Sequence, residues 1–262
     1  MTMLVSSCST SMDHAADEIL GIAACSEADR VGWAMYPPAR TALVATARAH
    51  YLLSGEDAVE RLRRLLNQEL AGNWSTRQMA LAENTKLLAS CDRVELRIKD
   101  DGDHVGLIWR AGKSGPPHFK ATTGQPNHES SPTETALSKL LMSQIPGMDD
   151  QMKALSYRRL SEVIHDRPRR GGFNDISPGR SLTRDLREEV LTTSTHKIAK
   201  NTVMVARAFE IAGSKLIQHC GGDPNPFKQD LARAVADWLR FAFADTGGSI
   251  VNSWQPGAVK KA

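Results

Sequence analysis

Aromatic residues make up only 5% of this 262-residue chain. Their scarcity argues against a sheet-rich fold, because strands draw on aromatic and β-branched side chains. Cysteine is sparse as well. Cys8, Cys25, Cys91 and Cys220 lie far apart, and no two have the C-x-x-C spacing of a zinc or redox site. They are expected to be reduced structural thiols, with Cys25 and Cys91 in the core. The charge excess is only +3, too little to imply nucleic-acid binding without a local basic patch. No apolar run approaches the roughly 18 residues needed to cross a bilayer, and the opening residues lack the basic and apolar regions of a signal peptide. A cytoplasmic protein without a membrane partner is therefore expected. Also missing are a P-loop, G-x-G-x-x-G, H-E-x-x-H and G-x-S-x-G. Nucleotide-dependent, zinc-peptidase and α/β-hydrolase chemistry lose their usual signatures with them, and neither metal nor cofactor is expected.

What remains is rich in Ala, Leu and Arg, 41% hydrophobic and 24% charged, and long enough to bury a substantial core. The fold class it predicts is mainly α, a helical bundle with one inserted β-hairpin. Residues 1–12, rich in Ser and Thr, read as a flexible tail, and residues 13–262 as a single helical domain. A stripe of Ala16, Ile19, Leu20 and Ala23 predicts a helix over 13–25. Pro37-Pro38 starts the next, ended by Ser54-Gly55. A third helix covers 56–71, and a Ser75/Gln78 capping box opens a fourth reaching about 91.

The period then changes from helical to alternating. Val94, Leu96 and Ile98, then Val105, Leu107 and Trp109, flank the turn-like Asp100-Asp101-Gly102-Asp103, predicting a hairpin over about 93–110. Irregular insertions are expected at about 111–132 and 166–181, both rich in Gly and Pro. Between them Ser131-Pro132-Thr133-Glu134 starts a helix over 133–143, and another follows over 149–165. The longest helix is expected over 182–220, stopped by Gly221-Gly222, with Asp223-Pro224 opening a final one.

Two segments carry a resemblance. Tyr36-Pro37-Pro38-Ala39-Arg40-Thr41-Ala42-Leu43, running on to Ala47-Arg48-Ala49-His50-Tyr51-Leu52-Leu53, resembles the second helix of a group of bacterial helical proteins in which an Arg/Glu-rich helix follows. Tyr157-Arg158-Arg159-Leu160-Ser161, ending in His165, resembles that group's late Tyr-x-x-Leu-Ser-x-x-x-His helix. The helix order and the Arg/His spacing are similar to the HEPN superfamily, many of whose members are metal-independent ribonucleases of toxin–antitoxin and phage-defence systems. Active motifs there commonly place a polar residue directly after the arginine. Arg158-Arg159 fits this pattern with six residues before His165, whereas Arg159-Leu160 does not. The resemblance implies RNA as substrate, a homodimer, and an antitoxin or other protein partner.

Arg158 and His165 stand seven apart, on nearly one face of a helix and two turns from each other. As a catalytic pair, His165 would remove the proton of a ribose 2′-hydroxyl or protonate the leaving group. Arg158 would hold the scissile phosphate. Arg159 and Ser161, with Arg167, Arg169 and Arg170 in the following Gly/Pro stretch, are candidates for binding the RNA backbone. The structural reading stands beside this one, since a histidine at a helix C-terminus is favoured by the dipole alone. Arg48 and Tyr51 either complete the same cleft or face solvent. Two further functions stay open: a non-catalytic helical interaction module, and a nucleic-acid-binding regulator with its recognition helix over 74–90.

Overall fold

The computed structural model describes residues 2–27, 33–112, 115–120, 131–146, 148, 153, 157–158, 160–161, 176–181, 187–191 and 195–242. Among them the chain is mainly helical. The order is α1 (Thr2–Glu27), a 3-10 turn (Trp33–Met35), α2 (Tyr36–Leu53), α3 (Ala58–Met79), α4 (Thr85–His104), β1 (Trp109–Arg110), β2 (His118–Phe119), α5 (Glu134–Met142), β3 (Ile176–Ser181), β4 (Arg187–Leu191), α6 (Thr195–His219) and α7 (Asn225–Ala242). Both strand pairs are antiparallel and two-stranded.

Helix α2 is the centre of the bundle. Pro37 and Pro38 sit in its first turn, where no amide partner is lost, and Ser54 ends it. Of the residues from Ala42 to Leu53, only Arg48 is exposed. The principal core joins Ala42, Leu43, Ala45, Ala47, Ala49 and Leu52 of α2 to Leu4, Cys8, Met12, Ala15 and Ile22 of α1, to Leu137, Leu141 and Met142 of α5, and to Val205, Ala208 and Ala212 of α6. Leu160 closes it, at 1% exposure. The small side chains on α2 and α6 let the two axes approach closely while filling the space between them.

Of the expected tail at 1–12, residues 2–12 instead form the first half of α1. Leu4, Cys8, Met12 and Ala15 are buried at helical spacing, and their packing against α2 outweighs the modest helix propensity of the intervening Ser and Thr. The buried face is also turned from the predicted one, with Ile22 inside and Leu20 67% exposed.

The hairpin expected over 93–110 is likewise corrected. Helix α4 runs through it to His104, carrying Asp100-Asp101-Gly102-Asp103 inside the helix. Alternation gives the wrong period because Cys91, Ile98 and Gly102 are buried at helical spacing, whereas Leu96 is 60% exposed. Gly102 is present because Phe119 lies against it: a Cβ there would overlap the Phe119 ring. The positive φ that ends α4 belongs to Gly106, at 76°. The real pairing is more distant, Trp109 with Phe119 and Arg110 with His118. Part of the irregular insertion at 111–132 is therefore a strand.

The helix expected over 75–91 is split. Helix α3 is continuous from an Asp57 cap, whose side chain accepts from Glu60 N at 2.7 Å, through to Met79. Asn84 starts α4 by accepting from Leu87 N at 3.2 Å. No recognition helix spans 74–90, and the regulator reading loses its element. Arg77 bridges the two helices to Asp92 instead.

At the second irregular insertion, 176–181 is a strand paired with 187–191, with a register shift between Pro178 and Ser181, where proline cannot donate to the ladder. The helix expected from 182 consequently begins at Thr195. Its end is as expected: Gly221 takes a φ of 81°, and Gly222 N donates to Ile217 O at 2.9 Å.

Gly102 and Gly72 separate packing from propensity. Gly102→Ala is expected to lower stability by about 1–2 kcal/mol, because overpacking exceeds the helix-propensity gain. Gly72→Ala, on the exposed side of α3 with nothing near the added methyl, is expected to raise it by up to about 1 kcal/mol. Urea midpoints of the two variants check the opposite signs.

Candidate functional site

A cluster of charged and phenolic groups forms around Tyr157, the residue before Arg158. Arg40 and Arg48 come from α2, Glu134 from the first turn of α5 and Tyr157 from the helical pair 157–158. Arg40 Nη2 donates to Glu134 Oε2 at 2.8 Å and to the Tyr157 hydroxyl at 2.7 Å. The Tyr157 hydroxyl in turn donates to Glu134 Oε2 at 2.8 Å. Arg48 Nη2 reaches Glu134 Oε1 at 3.4 Å. The Arg40 guanidinium also lies over the Tyr157 ring, 5.2 Å from its centroid. Two guanidiniums and a phenol thus converge on one carboxylate.

Local sequence dictates this placement. Thr133 caps α5 by accepting from Ala136 N at 3.3 Å, which puts Glu134 at the positive end of the helix dipole and beside α2. Leu160, three residues after Tyr157, is buried in the main core. It anchors the short segment so that Tyr157 is half-buried against Arg40 while Arg158 is exposed. Arg40 is the more enclosed cation, its side chain 24% exposed against 45% for Arg48. Its Nε is buried without an acceptor among the described residues.

Of the sequence-predicted site residues, Arg158 is exposed, next to Tyr157 in the chain, and Ser161 is half-buried three residues further on. Arg159, His165, Arg167, Arg169 and Arg170 lie outside the described residues. From sequence, Glu134 reads only as a helix-start residue, and nothing there shows that it gathers Arg40, Arg48 and Tyr157. Arg48 and Tyr51, paired by their spacing, part company. Arg48 is open to solvent at Glu134, and Tyr51 is buried with Arg64 over its ring, 4.6 Å from the centroid.

A second constellation lies at the other end of α2. Lys215 Nζ donates to Ser54 Oγ at 2.7 Å, and His50 Nε2 lies 3.4 Å from the same oxygen. Serine, histidine and lysine together have the look of an activated nucleophile. However, the Ser54 hydroxyl donates to His50 O at 2.6 Å, and Arg64 Nη1 donates to Tyr51 O at 2.8 Å. The first satisfies a carbonyl that the end of α2 would leave without a partner, the second adds to the Ser54 N–H already on Tyr51 O at 3.2 Å, and cations are favoured there. We therefore assign this group to capping. Burial, then Lys215 and Arg64, hold His50 down at about 4, and burial followed by Arg64 lowers Lys215.

The cysteines behave as core residues where they are enclosed. Cys8 and Cys91 are buried, and burial, with a smaller contribution from Cys220, pushes the Cys8 thiol up to about 12. Among the described residues no three His, Cys, Asp or Glu side chains are grouped as a metal would require, and no helix is long and apolar enough to cross a membrane. No family model matches the sequence, and no curated protein or solved structure shows significant similarity to it.

His50 gives a pH prediction. Its folded-state value, about 4, lies below the ordinary 6.5, so folding favours the neutral ring. The stability that this contributes is complete above 6.5 and is lost as pH falls through the window from 6.5 to 4, by about 3 kcal/mol at most. Denaturation midpoints of wild type and His50→Gln between those pH values are expected to converge on acidification. Parallel curves would show that the ring does not titrate with folding.

Proposed function

We propose that the chain binds RNA at the Arg40–Arg48–Tyr157–Arg158 face and cleaves it without a metal, as a HEPN-like ribonuclease of toxin or phage-defence type. The single observation that carries the reading is the convergence of Arg40, Arg48 and the Tyr157 hydroxyl on one carboxylate, with Arg158 following Tyr157 in the chain. Guanidinium forks bind phosphate oxygens through the same donors that bind carboxylate oxygens.

In this reading His165 removes the proton from a ribose 2′-hydroxyl. The freed oxygen attacks the adjacent phosphorus, the bond to the 5′-oxygen breaks, and that oxygen takes up a proton. The products are a 2′,3′-cyclic phosphate and a 5′-hydroxyl. Arg158 holds the non-bridging oxygens as charge develops on them. Ser161, Arg159, Arg167, Arg169 and Arg170 would bind flanking nucleotides. A homodimer would set two such faces side by side, and an antitoxin or other protein partner would cover them.

A second reading, a non-catalytic interaction module, is favoured by a specific observation. The same contacts tie α2, α5 and the 157–161 segment together whether or not a ligand is bound. Cleavage separates the two. Wild type, incubated with mixed RNA in EDTA, is expected to give ends in 2′,3′-cyclic phosphate. His165→Ala, folded by circular dichroism, is expected to be slower by about 100-fold or more, the usual contribution of a general acid–base group. Absence of cleavage by folded wild type, or equal rates for the two proteins, removes the ribonuclease reading.

A further inference from the structure

We propose that Arg40, Arg48 and the Tyr157 hydroxyl form a phosphodiester-binding receptor whose resting occupant is the chain's own Glu134, so that RNA binds by displacing this carboxylate. The inference rests on the RNA reading above and adds to it the residues that take the phosphate and the group that competes with it.

Four features of the cluster support a displaceable occupant. First, all three groups donate to the two oxygens of one side chain, with Arg40 and Tyr157 sharing Oε2 and Arg48 on Oε1. A phosphodiester offers the same unit charge on two non-bridging oxygens, so the exchange replaces one monoanion by another. Second, the site opens to solvent on the side where exchange must occur. Glu134 is 38% and Arg48 45% exposed, and their contact, at 3.4 Å, is the longest in the cluster. An ion pair so placed is weak, so displacement begins at Oε1 and is completed when the two 2.8 Å contacts on Oε2 pass to the incoming anion. Third, the enclosed half stays in place without Glu134. Arg40 is stacked on Tyr157 and held by a direct hydrogen bond to its hydroxyl, so the receptor remains assembled when the carboxylate leaves.

Fourth, Glu134 sits in the first turn of α5, where the helix dipole favours whichever anion occupies the position. The cap that fixes this turn is Thr133, not Glu134, so α5 keeps its start when Glu134 swings out. A single phosphate gains little over the resident carboxylate. A nucleic-acid strand gains more, because its neighbouring phosphates reach further cations, Arg158 being the nearest in sequence to the receptor.

The test is fluorescence anisotropy with an end-labelled single-stranded RNA at fixed low salt, using wild type, Glu134→Gln and Arg48→Ala, with thermal midpoints measured alongside. Glu134→Gln is expected to tighten binding by about two- to fivefold, the size of an exposed ion pair removed as a competitor. Arg48→Ala is expected to weaken it by about tenfold, as for a lost charge-assisted phosphate contact. Unchanged or weaker binding by a folded Glu134→Gln would overturn the proposal and make Glu134 a structural strut. Failure of that variant to fold would also make Glu134 a strut, and an Arg48→Ala protein that binds like wild type removes the receptor as well. Cleavage by wild type with equal binding by all three proteins sinks this proposal and leaves the ribonuclease reading standing. Binding in the expected order without cleavage does the reverse, and no binding by wild type or Glu134→Gln sinks both.

Discussion

Helix α2 is enclosed by α1, α5 and α6, and that enclosure limits both its composition and what the rest of the chain can do. A helix with covered faces must present small or apolar side chains around most of its circumference, which is what the Ala, Leu and Val positions from 42 to 53 supply. Polar side chains survive there only with a partner close at hand. Thr46 turns its hydroxyl back to Ala42 O at 2.7 Å, and His50 is held in its neutral form. A charged residue can stand only where the covering elements leave a gap. Arg40 and Arg48 occupy the gap beside the start of α5, and the location of the candidate site follows from how α2 is covered.

The flank formed by α3, α4 and β2 meets the opposite problem, since a two-residue strand pair cannot stabilise itself. Here the missing hydrogen bonds come from side chains of α3. Asn67 accepts from Phe119 N at 2.7 Å and donates to Phe119 O at 3.0 Å, and Arg63 Nη1 adds a contact to that oxygen at 3.3 Å. Arg63 is buried at 1% exposure and carries its charge inside because Glu60 binds it through both oxygens, at 2.6 and 2.7 Å. Burial works to raise the Glu60 carboxyl, but the hydrogen bonds from Arg63 and Arg64 outweigh it and hold it below the usual range. Removing either partner would strand the other. The Glu60–Arg63–Arg64 group thus joins two regions, Arg63 at Phe119 of the second core, with Leu66, Leu70, Ile98 and Leu107, and Arg64 at Tyr51 of the first.

What can be read from sequence follows the range of the forces involved. The start and end of α2, the beginning of α5 near Thr133 and the glycine stop after α6 are set by neighbours in the chain, and proline, cap and glycine signals locate them. Misreadings fall where distant contacts decide. Alternation at Val94–Leu96–Ile98 imitates a strand because Leu96 is an apolar residue left outside. Gly102 imitates a turn because its real reason, the Phe119 ring, is far along the chain. The opening helix is hidden because its Ser and Thr residues outnumber the few buried positions that decide its conformation. At the site, Arg158 and Arg48 can be singled out as residue types, but Glu134, 86 residues after Arg48, cannot be joined to them.

A carboxylate at the centre of the cluster bears on function in a way that counting basic residues does not. With Glu134 in place, the pair of arginines keeps only one net charge, which fits a chain whose overall excess is small. A permanently open phosphate site of two arginines and a tyrosine would bind nucleic acid indiscriminately through its charge. In the proposed reading, a site held by an internal anion would instead set a threshold: isolated phosphates would exchange for Glu134 with little gain, and a ligand that presents several phosphates in a row would gain enough to displace it. The distinction between strut and receptor then lies in whether the three contacts on Glu134, at 2.8 Å from Arg40 and Tyr157 and 3.4 Å from Arg48, yield together to a competing anion. Selectivity for a strand over a free anion would thus arise from the full set of contacts that Glu134 must give up, which one phosphate replaces and several phosphates outweigh.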